Sequence, residues 1–410
     1  MEMLTNRTLY KRNRLEFYSQ FQEFWYDLNG EYSLYHLLEV EKELIQEIRI
    51  ATKKMGDIFF KTSTLLRQLP DKTLIELGFP KESVPFLRFK SLLPESIISR
   101  FDFVSTNEGL KLLELNSDTP TFIMECFKIN GHVSKHFGFE EPNQNYEKQL
   151  SAVLNKAITE SIKDIKHTPN IVFTAHNDHQ EDWNTTVYLA SCAKVPCQLI
   201  PLSELQITKD SLIDPSGNVI DVLYRQTYPL EHLINDVDEA SKDKVGIQLL
   251  HLVKRKKLVI LNPISSFLLQ SKAIQALIWG LAEEGSFYTK DEQKSIYQYM
   301  LPTYLDAGPF IGRMPFVKKP SFGREGDTIT IHHDSQTIEK NTMQTYEDEL
   351  PIYQKYVSLP TVTLETEKGL EKLSYMFGSF LLAGQPSAIG VRAGEKITGN
   401  ESYFLPIGFK

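Results

Sequence analysis

Between Arg100 and Thr121 the chain reads RFDFVSTNEGLKLLELNSDTPT, two alternating runs around Asn107-Glu108-Gly109, and this pattern fits a β-hairpin. Side chains two apart on a strand share a face, so Arg100 and Asp102 line one arm, and Glu114 and Asn116 the other. A three-residue loop, with Gly109 in the left-handed conformation, sets Asp102 opposite Glu114 and Arg100 opposite Asn116. Two carboxylates about 4 Å apart repel by roughly 4 kcal/mol at the effective dielectric of a partly buried site. Such a pair needs a cation between the acids or a proton on one of them. The all-oxygen set of Asp102, Glu114 and the Asn116 amide suits Mg²⁺, a hard ion that usually shares its shell with water and nucleotide phosphates. The other reading of these residues is a solvated hairpin whose acids face water.

Composition limits what such a hairpin can belong to. The 410 residues are enough for two or three domains with proper cores, and 41% apolar with 24% charged is ordinary globular composition. A net charge of -8 argues against a sequence-independent grip on nucleic acid, which needs a dense basic surface. Cys126, Cys192 and Cys197 leave one thiol over in any disulfide scheme, and no CxxC or His/Cys cluster points to structural zinc. Reduced thiols are the simplest reading. The N-terminus carries no signal-like apolar run, and no window reaches the roughly 20 apolar residues of a membrane span. The expectation is a soluble, cytoplasmic protein with neither nucleic acid nor membrane as partner.

Periodicity divides the chain into four parts. Residues 1–95 show apolar spacing of three and four, as in EYSLYHLLEVEKELIQEIRIATKKMGDIFF, and read as a helical region. Residues 96–165 hold the hairpin and two helical patterns. In 166–264 the short apolar runs IVFTA, CQLIPL, VIDVLYRQ and LVILNP alternate with helical patterns, which predicts a small parallel sheet with ligands beyond its carboxyl ends. The segment HNDHQED, with Glu181 and Asp182, falls at such an end. Residues 265–410 begin with the helix SSFLLQSKAIQALIWGLAEEG and continue as strands. Of these, PIYQKYVSL, YMFGSFLLAG and SAIGVRAG read as one antiparallel sheet.

The segment FVKKPSFGREGD delivers a lysine on a strand and follows it with a loop holding Gly323, Arg324, Glu325 and Gly326. Glycines let such a loop close over phosphates with its N–H groups, while lysine and arginine neutralise charge. Lys318 and Lys319 alternate faces, so only one can point at a nucleotide. Alone, a Gly-Arg-Glu-Gly turn is more often structural; the acidic hairpin and Arg392 are what give it weight. PIYQKYV could serve as a hinge strand pairing with an adenine edge, or be an ordinary buried strand.

Taken together, RFDF, LLELNSDTPT, ED followed by TTVYL, the SKAI helix, VKKPSFGREG, YQKY, and SAIGVRAG followed by ITGNESYF resemble the glutathionylspermidine synthase family. The synthetase domain of that family also occurs in trypanothione synthetase, and the resemblance runs from about Arg100 to the C-terminus. It implies an α/β (α+β) circularly permuted ATP-grasp fold with a small parallel-sheet pre-ATP-grasp region. In this order Glu114-Leu115-Asn116 precedes the lysine strand. It implies ATP and Mg²⁺ as cofactors, with Mg²⁺ on Asp102, Glu114 and Asn116. Nucleotide phosphates would lie on Lys272, Lys319, Gly323, Arg324 and Gly326, and the adenine hinge on Gln354, Lys355, Tyr356 and Val357. Arg100 and Arg392 would steady the transferred phosphoryl group and the acid's developing charge. Asp118, Thr119 and Thr121 fall on the acid-substrate side. Glu181 and Asp182 are candidates for the amine side, with Asp182 alternatively a helix cap.

The chemistry implied is ATP-dependent amide formation from a peptide or amino-acid carboxylate and an amine or polyamine, through an acyl phosphate. The bifunctional relatives carry an N-terminal amidase domain with a catalytic cysteine, whereas here no cysteine precedes Cys126, so amidase activity is not expected. Phe122 stands where the family often has a small residue, so its ring would reshape the acid pocket. The competing reading is an inactive ATP-binding sensor or assembly partner. A degenerate member would have lost a metal carboxylate or a phosphate cation, and none is missing. A third reading is an amino-acid ligase unrelated to polyamines. Oligomeric state is not readable from these residues.

Overall fold

The computed structural model describes residues 6–410 apart from 29, 227, 228, 325, 334, 335, 398 and 400. In the N-terminal region the Lys42–Leu66 helix repeats Ile45, Ile48, Met55, Ile58 and Phe59 at helical spacing, and all are buried. Its Thr52 hydroxyl meets Ser379 Oγ at 2.6 Å, which fixes the helix against a sheet strand. The Asn6–Tyr18 helix is held by Arg14, fully buried and paired with Asp27 and Glu367.

Strands are numbered along the chain. β1 (Ile98–Thr106) and β2 (Gly109–Asn116) form the expected hairpin. β3 (Ile171–Thr174), β4 (Gln198–Leu199), β5 (Val222–Arg225) and β6 (Val259–Leu261) are the short apolar runs of the middle region. They pair in parallel in the order β4-β3-β5-β6, as the alternation of strand and helix predicts. β7 (Thr303–Tyr304), β8 (Phe316–Pro320), β9 (Thr330–His333), β10 (Gln336–Lys340) and β11 (Pro351–Lys355) make an antiparallel sheet ordered β7-β11-β8-β9-β10. β12 (Thr361–Thr366), β13 (Gly369–Leu382), β14 (Gln385–Gly394) and β15 (Tyr403–Leu405) follow. These join the hairpin in the order β15-β14-β13-β1-β2, with β12 on the first half of β13.

Three expectations are refined. The PIYQK segment does not join YMFGSFLLAG and SAIGVRAG; it is a central strand of the lysine-bearing sheet, paired on both sides. The SSFLLQSKAIQAL helix is broken, because Ser271 is extended (ψ 127°), and a new helix runs Ala273–Glu284. The hairpin is tighter than expected: Thr106 pairs with Gly109, leaving two loop residues rather than three. An irregularity beside Leu113 then restores the register, so Asp102 still faces Glu114 and Arg100 still faces Asn116. Among the described residues no helix is long and apolar enough to cross a membrane.

Candidate functional site

The acids of the hairpin are not left facing water. Arg100, buried, grips Asp102 with two parallel hydrogen bonds, Nε to Oδ1 (2.7 Å) and a terminal nitrogen to Oδ2 (3.0 Å). Its other terminal nitrogen donates to the Thr121 carbonyl (2.9 Å), which ties the hairpin to the loop beyond it. The Asn116 amide lies 3.5 Å from Asp102 and 3.4 Å from Glu114, bridging the two carboxylates. Space for the Arg100 side chain comes from the next strand, where a β-carbon at Gly378 would lie 3.0 Å from Arg100 Cδ.

Each carboxylate has a cation from the protein itself, Arg100 for Asp102 and Lys272 for Glu114. Lys272 leaves the helical line at the Ser271 break, so that its ammonium donates to the Gly323 carbonyl (2.6 Å) and lies 3.4 Å from Glu114. Burial by itself would raise the Glu114 pKa. Lys272, then Lys319 and Arg100, outweigh that and bring it to about 2. Lys319 is buried while Lys318 is only half-buried, in keeping with the alternation of faces on β8. The Lys319 ammonium donates to Gln354 Oε1 (2.8 Å) and to the Leu113 carbonyl (3.3 Å), which the bulge beside it turns toward the lysine. Desolvation lowers its pKa to about 8 despite the pull of Glu114.

A cleft runs between the two antiparallel sheets. Asp102, Glu114, Lys319 and Arg392 line it together with Lys355 and Lys396, and Val317, Ile331, Val357 and Met376 are among its apolar residues. Gly326 and residues Gln354 to Val357 also line it, as expected for the phosphate loop and the hinge. Two hinge N–H groups are already taken, Lys355 by the Pro302 carbonyl and Tyr356 by the Pro315 carbonyl. The Gln354 side chain orients Lys319 and is itself held by Gln275 (3.2 Å) and Thr303 (3.3 Å). Glu325, the third residue of the expected phosphate loop, lies outside the described residues, as do Thr398 and Asn400 of the ITGNESYF motif.

Past the hairpin the loop residues separate by role. Thr119 accepts from Arg324 (3.1 Å), whose Nε lies 3.6 Å from Glu231, so Arg324 faces the Thr119 side of the site. Thr121 meets Arg100. Asp118 is 1% exposed, and its oxygens accept from Arg225 (2.6 Å), the Leu230 N–H (3.0 Å) and Ser266 (3.2 Å), which ties the loop to the neighbouring segments. Asp182 is not the helix cap. The helix Gln180–Cys192 starts two residues earlier, His179 caps it, and Asp182 sits in its first turn, 3.4 Å from the His179 ring.

Tyr32 and Glu125, absent from the sequence-based candidates, both feel the charge of Glu181. After the TPT loop the chain enters a helix whose Glu125–Ile129 segment widens into a π turn. Glu125 in this turn is completely buried, and it accepts a hydrogen bond from the Tyr32 hydroxyl (2.5 Å). Burial first, then the Glu181 charge, raise its pKa to about 8. The one sequence signal was an acid amid FIMECF, apolar on both sides. Phe122, at φ 76°, lays its ring over β14, where a β-carbon on Gly390 would lie 2.6 Å from it and 2.5 Å from Cys126 Sγ.

With this geometry in place, the comparisons give the likeness. The family model described as glutathionylspermidine synthase preATP-grasp matches residues 11–410. A protein of Haemophilus influenzae named "Putative acid--amine ligase" is 22% identical over 329 residues, which span 76% of this chain and 74% of that protein. Among solved structures, a glutathione synthetase-like effector from Globodera pallida in its apo form superposes with a TM-score of 0.59 at 12% identity. The match covers 92% of this chain and 89% of that one, and the likeness is one of fold.

Proposed function

The chain belongs to the glutathionylspermidine synthase family, and from that premise we propose that it is an ATP-dependent ligase joining a carboxylic acid to an amine through an acyl phosphate. The observation that carries this reading is that Asp102, Glu114, Lys319 and Arg392 line one cleft together with the apolar Val317, Ile331, Val357 and Met376. Such a cleft suits a flat base together with a polyphosphate. The backbone from Val357 onward is the natural hinge, because the N–H groups of Lys355 and Tyr356 are occupied.

Lys319 and Lys272 would neutralise the phosphates. Their present partners, carbonyl oxygens, the Gln354 amide oxygen and Glu114, are ones a nucleotide can replace. Asp102 and Glu114 bring hard oxygens to either side of the Asn116 amide, which with its oxygen turned inward would complete a set that suits Mg²⁺, and Glu114 is ionised across the physiological range. When bound there, the ion would offset phosphate charge. Arg100 and Arg392 flank the point of transfer, where negative charge spreads over the phosphoryl oxygens. The acid lies toward Thr119, Thr121 and Arg324, and the amine toward Glu181 and Asp182. The hairpin preceding the lysine strand, yet sharing a sheet with the C-terminal strands, supports a permuted ATP-grasp order.

The test is ADP and phosphate release from ATP and Mg²⁺ across a grid of amino-acid and peptide acids with mono- and polyamines, with product masses recorded. Release that needs both an acid and an amine, with a product one water lighter than their sum, is the expected result. ATP binding without turnover on any pair would favour a binding protein instead.

A further inference from the structure

Gln275 is a polar side chain in an apolar stretch of helix. Ala273, Ile274, Ala276 and Ile278 around it are buried, and Gln275 itself is only 2% exposed. A buried amide is costly unless both its ends are bonded. Here Nε2 donates to the Leu113 carbonyl (3.4 Å), and Oε1 accepts from Gln354 Nε2 (3.2 Å). Gln354 Oε1 in turn accepts from Lys319 (2.8 Å), and Lys319 donates also to the Leu113 carbonyl (3.3 Å). Lys319, Gln354, Gln275 and Leu113 thus close a ring of hydrogen bonds drawn from β8, β11, a helix and the hairpin.

The donors and acceptors leave each amide of the ring one orientation. A carbonyl only accepts, so Leu113 requires the NH2 end of Gln275 and turns its oxygen toward Gln354. Gln354 must then present its own NH2 to Gln275, which leaves its oxygen for Lys319. Thr303 supports the same sense: its hydroxyl donates to the Leu301 carbonyl (2.8 Å), so it accepts from Gln354. A Gln354 amide turned end for end would set an NH2 group against the ammonium. Lys319 has three N–H groups, of which the ring engages two. The third is left for a ligand of the cleft that Lys319 and Gln354 both line. Gln275 lies three residues beyond Lys272, so one helix start serves both lysines of the phosphate side.

Resting on the ligase reading, we propose that Gln275 is a positioning residue for the nucleotide, which by fixing Gln354 keeps the Lys319 ammonium aimed at the phosphates of ATP. It acts through Lys319 and not by its own contact with the nucleotide. A role of this kind bears on the polyphosphate and leaves the base alone. A purely packing role would disturb the Gln354 strand as a whole, and with it the binding of both parts of the nucleotide.

The test compares ATP with adenosine, which lacks the phosphates, in calorimetric titrations of wild type and Gln275→Met. Methionine keeps the length of the side chain and removes both polar ends. Gln275→Met should bind ATP about tenfold more weakly, and adenosine within about twofold of wild type. In a Lys319→Met background, adding Gln275→Met should change ATP affinity by less than about twofold, because the effect has no other route. Equal losses for ATP and adenosine, no loss for either, or losses that multiply in the double variant would overturn the proposal. No binding of ATP by wild type would instead count against the ligase reading, and the reactivity of Lys319 then decides Gln275 separately. Brief labelling with acetic anhydride at neutral pH, followed by peptide mass spectrometry, should modify Lys319 at least about threefold faster in Gln275→Met. An amine that loses a fixed acceptor is less firmly held in its charged form. Unchanged labelling would overturn the assignment. Should Gln275→Met not fold, Gln275→Asn draws the amide back by one methylene. It should show the same split between ATP and adenosine and the same faster labelling, and the absence of both would contradict the proposal.

Discussion

Lys319 and Glu114 each carry a charge where burial disfavours it, and each is kept in range by the other. Because burial brings the Lys319 pKa down to about 8, its positive charge fades across the mildly alkaline range. ATP affinity should therefore fall as pH rises through about 8. In Lys319→Met the affinity should be lower by about tenfold or more at neutral pH and lose this step, whereas Lys318→Met should bind nearly as wild type. Equilibrium titration with ATP checks both. Glu114→Ala should abolish Mg²⁺-dependent ADP release, a loss of about 100-fold or more, with the circular dichroism spectrum unchanged. Glu125 has the opposite linkage. Between its ordinary pKa of 4.5 and about 8 the folded chain holds a proton that the unfolded chain has released. Stability should thus decline with rising pH over that window, and Glu125→Gln should flatten the decline in denaturant melts. The hairpin residues were readable because a period of two needs only the local sequence. Glu125 was not, because its burial depends on Tyr32, nearly a hundred residues away, and on Glu181.

At the level of elements, small backbone irregularities position the chemistry. The expected hairpin register proved correct although the loop is one residue shorter, since the irregularity beside Leu113 compensates. That bulge also supplies the carbonyl that Lys319 uses. No alternation pattern announces such a pair of offsetting shifts. The break at Ser271 likewise frees Lys272 from a helix that the sequence reads as continuous. Phe122 lies against glycines of both β13 and β14, and Cys126 of the π turn lies against Gly390 of β14. Gly390→Ala would press a methyl group into Phe122 and Cys126. It should cost about 1–3 kcal/mol of stability by overpacking and slow turnover through displacement of Phe122 and the Glu125 turn. Thermal melts and steady-state rates check this, and an unchanged melt would show that the turn yields freely.

Over the whole molecule, distant segments are closed against each other. The hairpin of residues 98–116 shares a sheet with strands from 361–405, and the segment Leu38–Glu39 pairs in parallel with Ile407–Gly408. Alternating strands and helices identified the parallel sheet in advance. They could not say which antiparallel strands share a sheet, because PIYQK, YMFGSFLLAG and SAIGVRAG look alike in apolar content, and partner choice is a tertiary decision. Removing residues 403–410 would strip out Phe404, Leu405 and Ile407, each 0% exposed. At about 1.5–3 kcal/mol per buried side chain, the loss of about 5–9 kcal/mol rivals the full stability of an ordinary domain. Such a chain should fail to give a cooperative melt, even though the truncation spares Asp102, Glu114 and Lys319.

If this cleft activates a carboxylate by phosphorylation, an oxygen atom must pass from that carboxylate to phosphate. An accepted acid carrying a heavy-oxygen label in its carboxylate is turned over with ATP and an amine, and the products are analysed by mass spectrometry. One labelled oxygen should appear in inorganic phosphate, with ADP as the nucleotide product. Label in AMP, or phosphate without label, would contradict it.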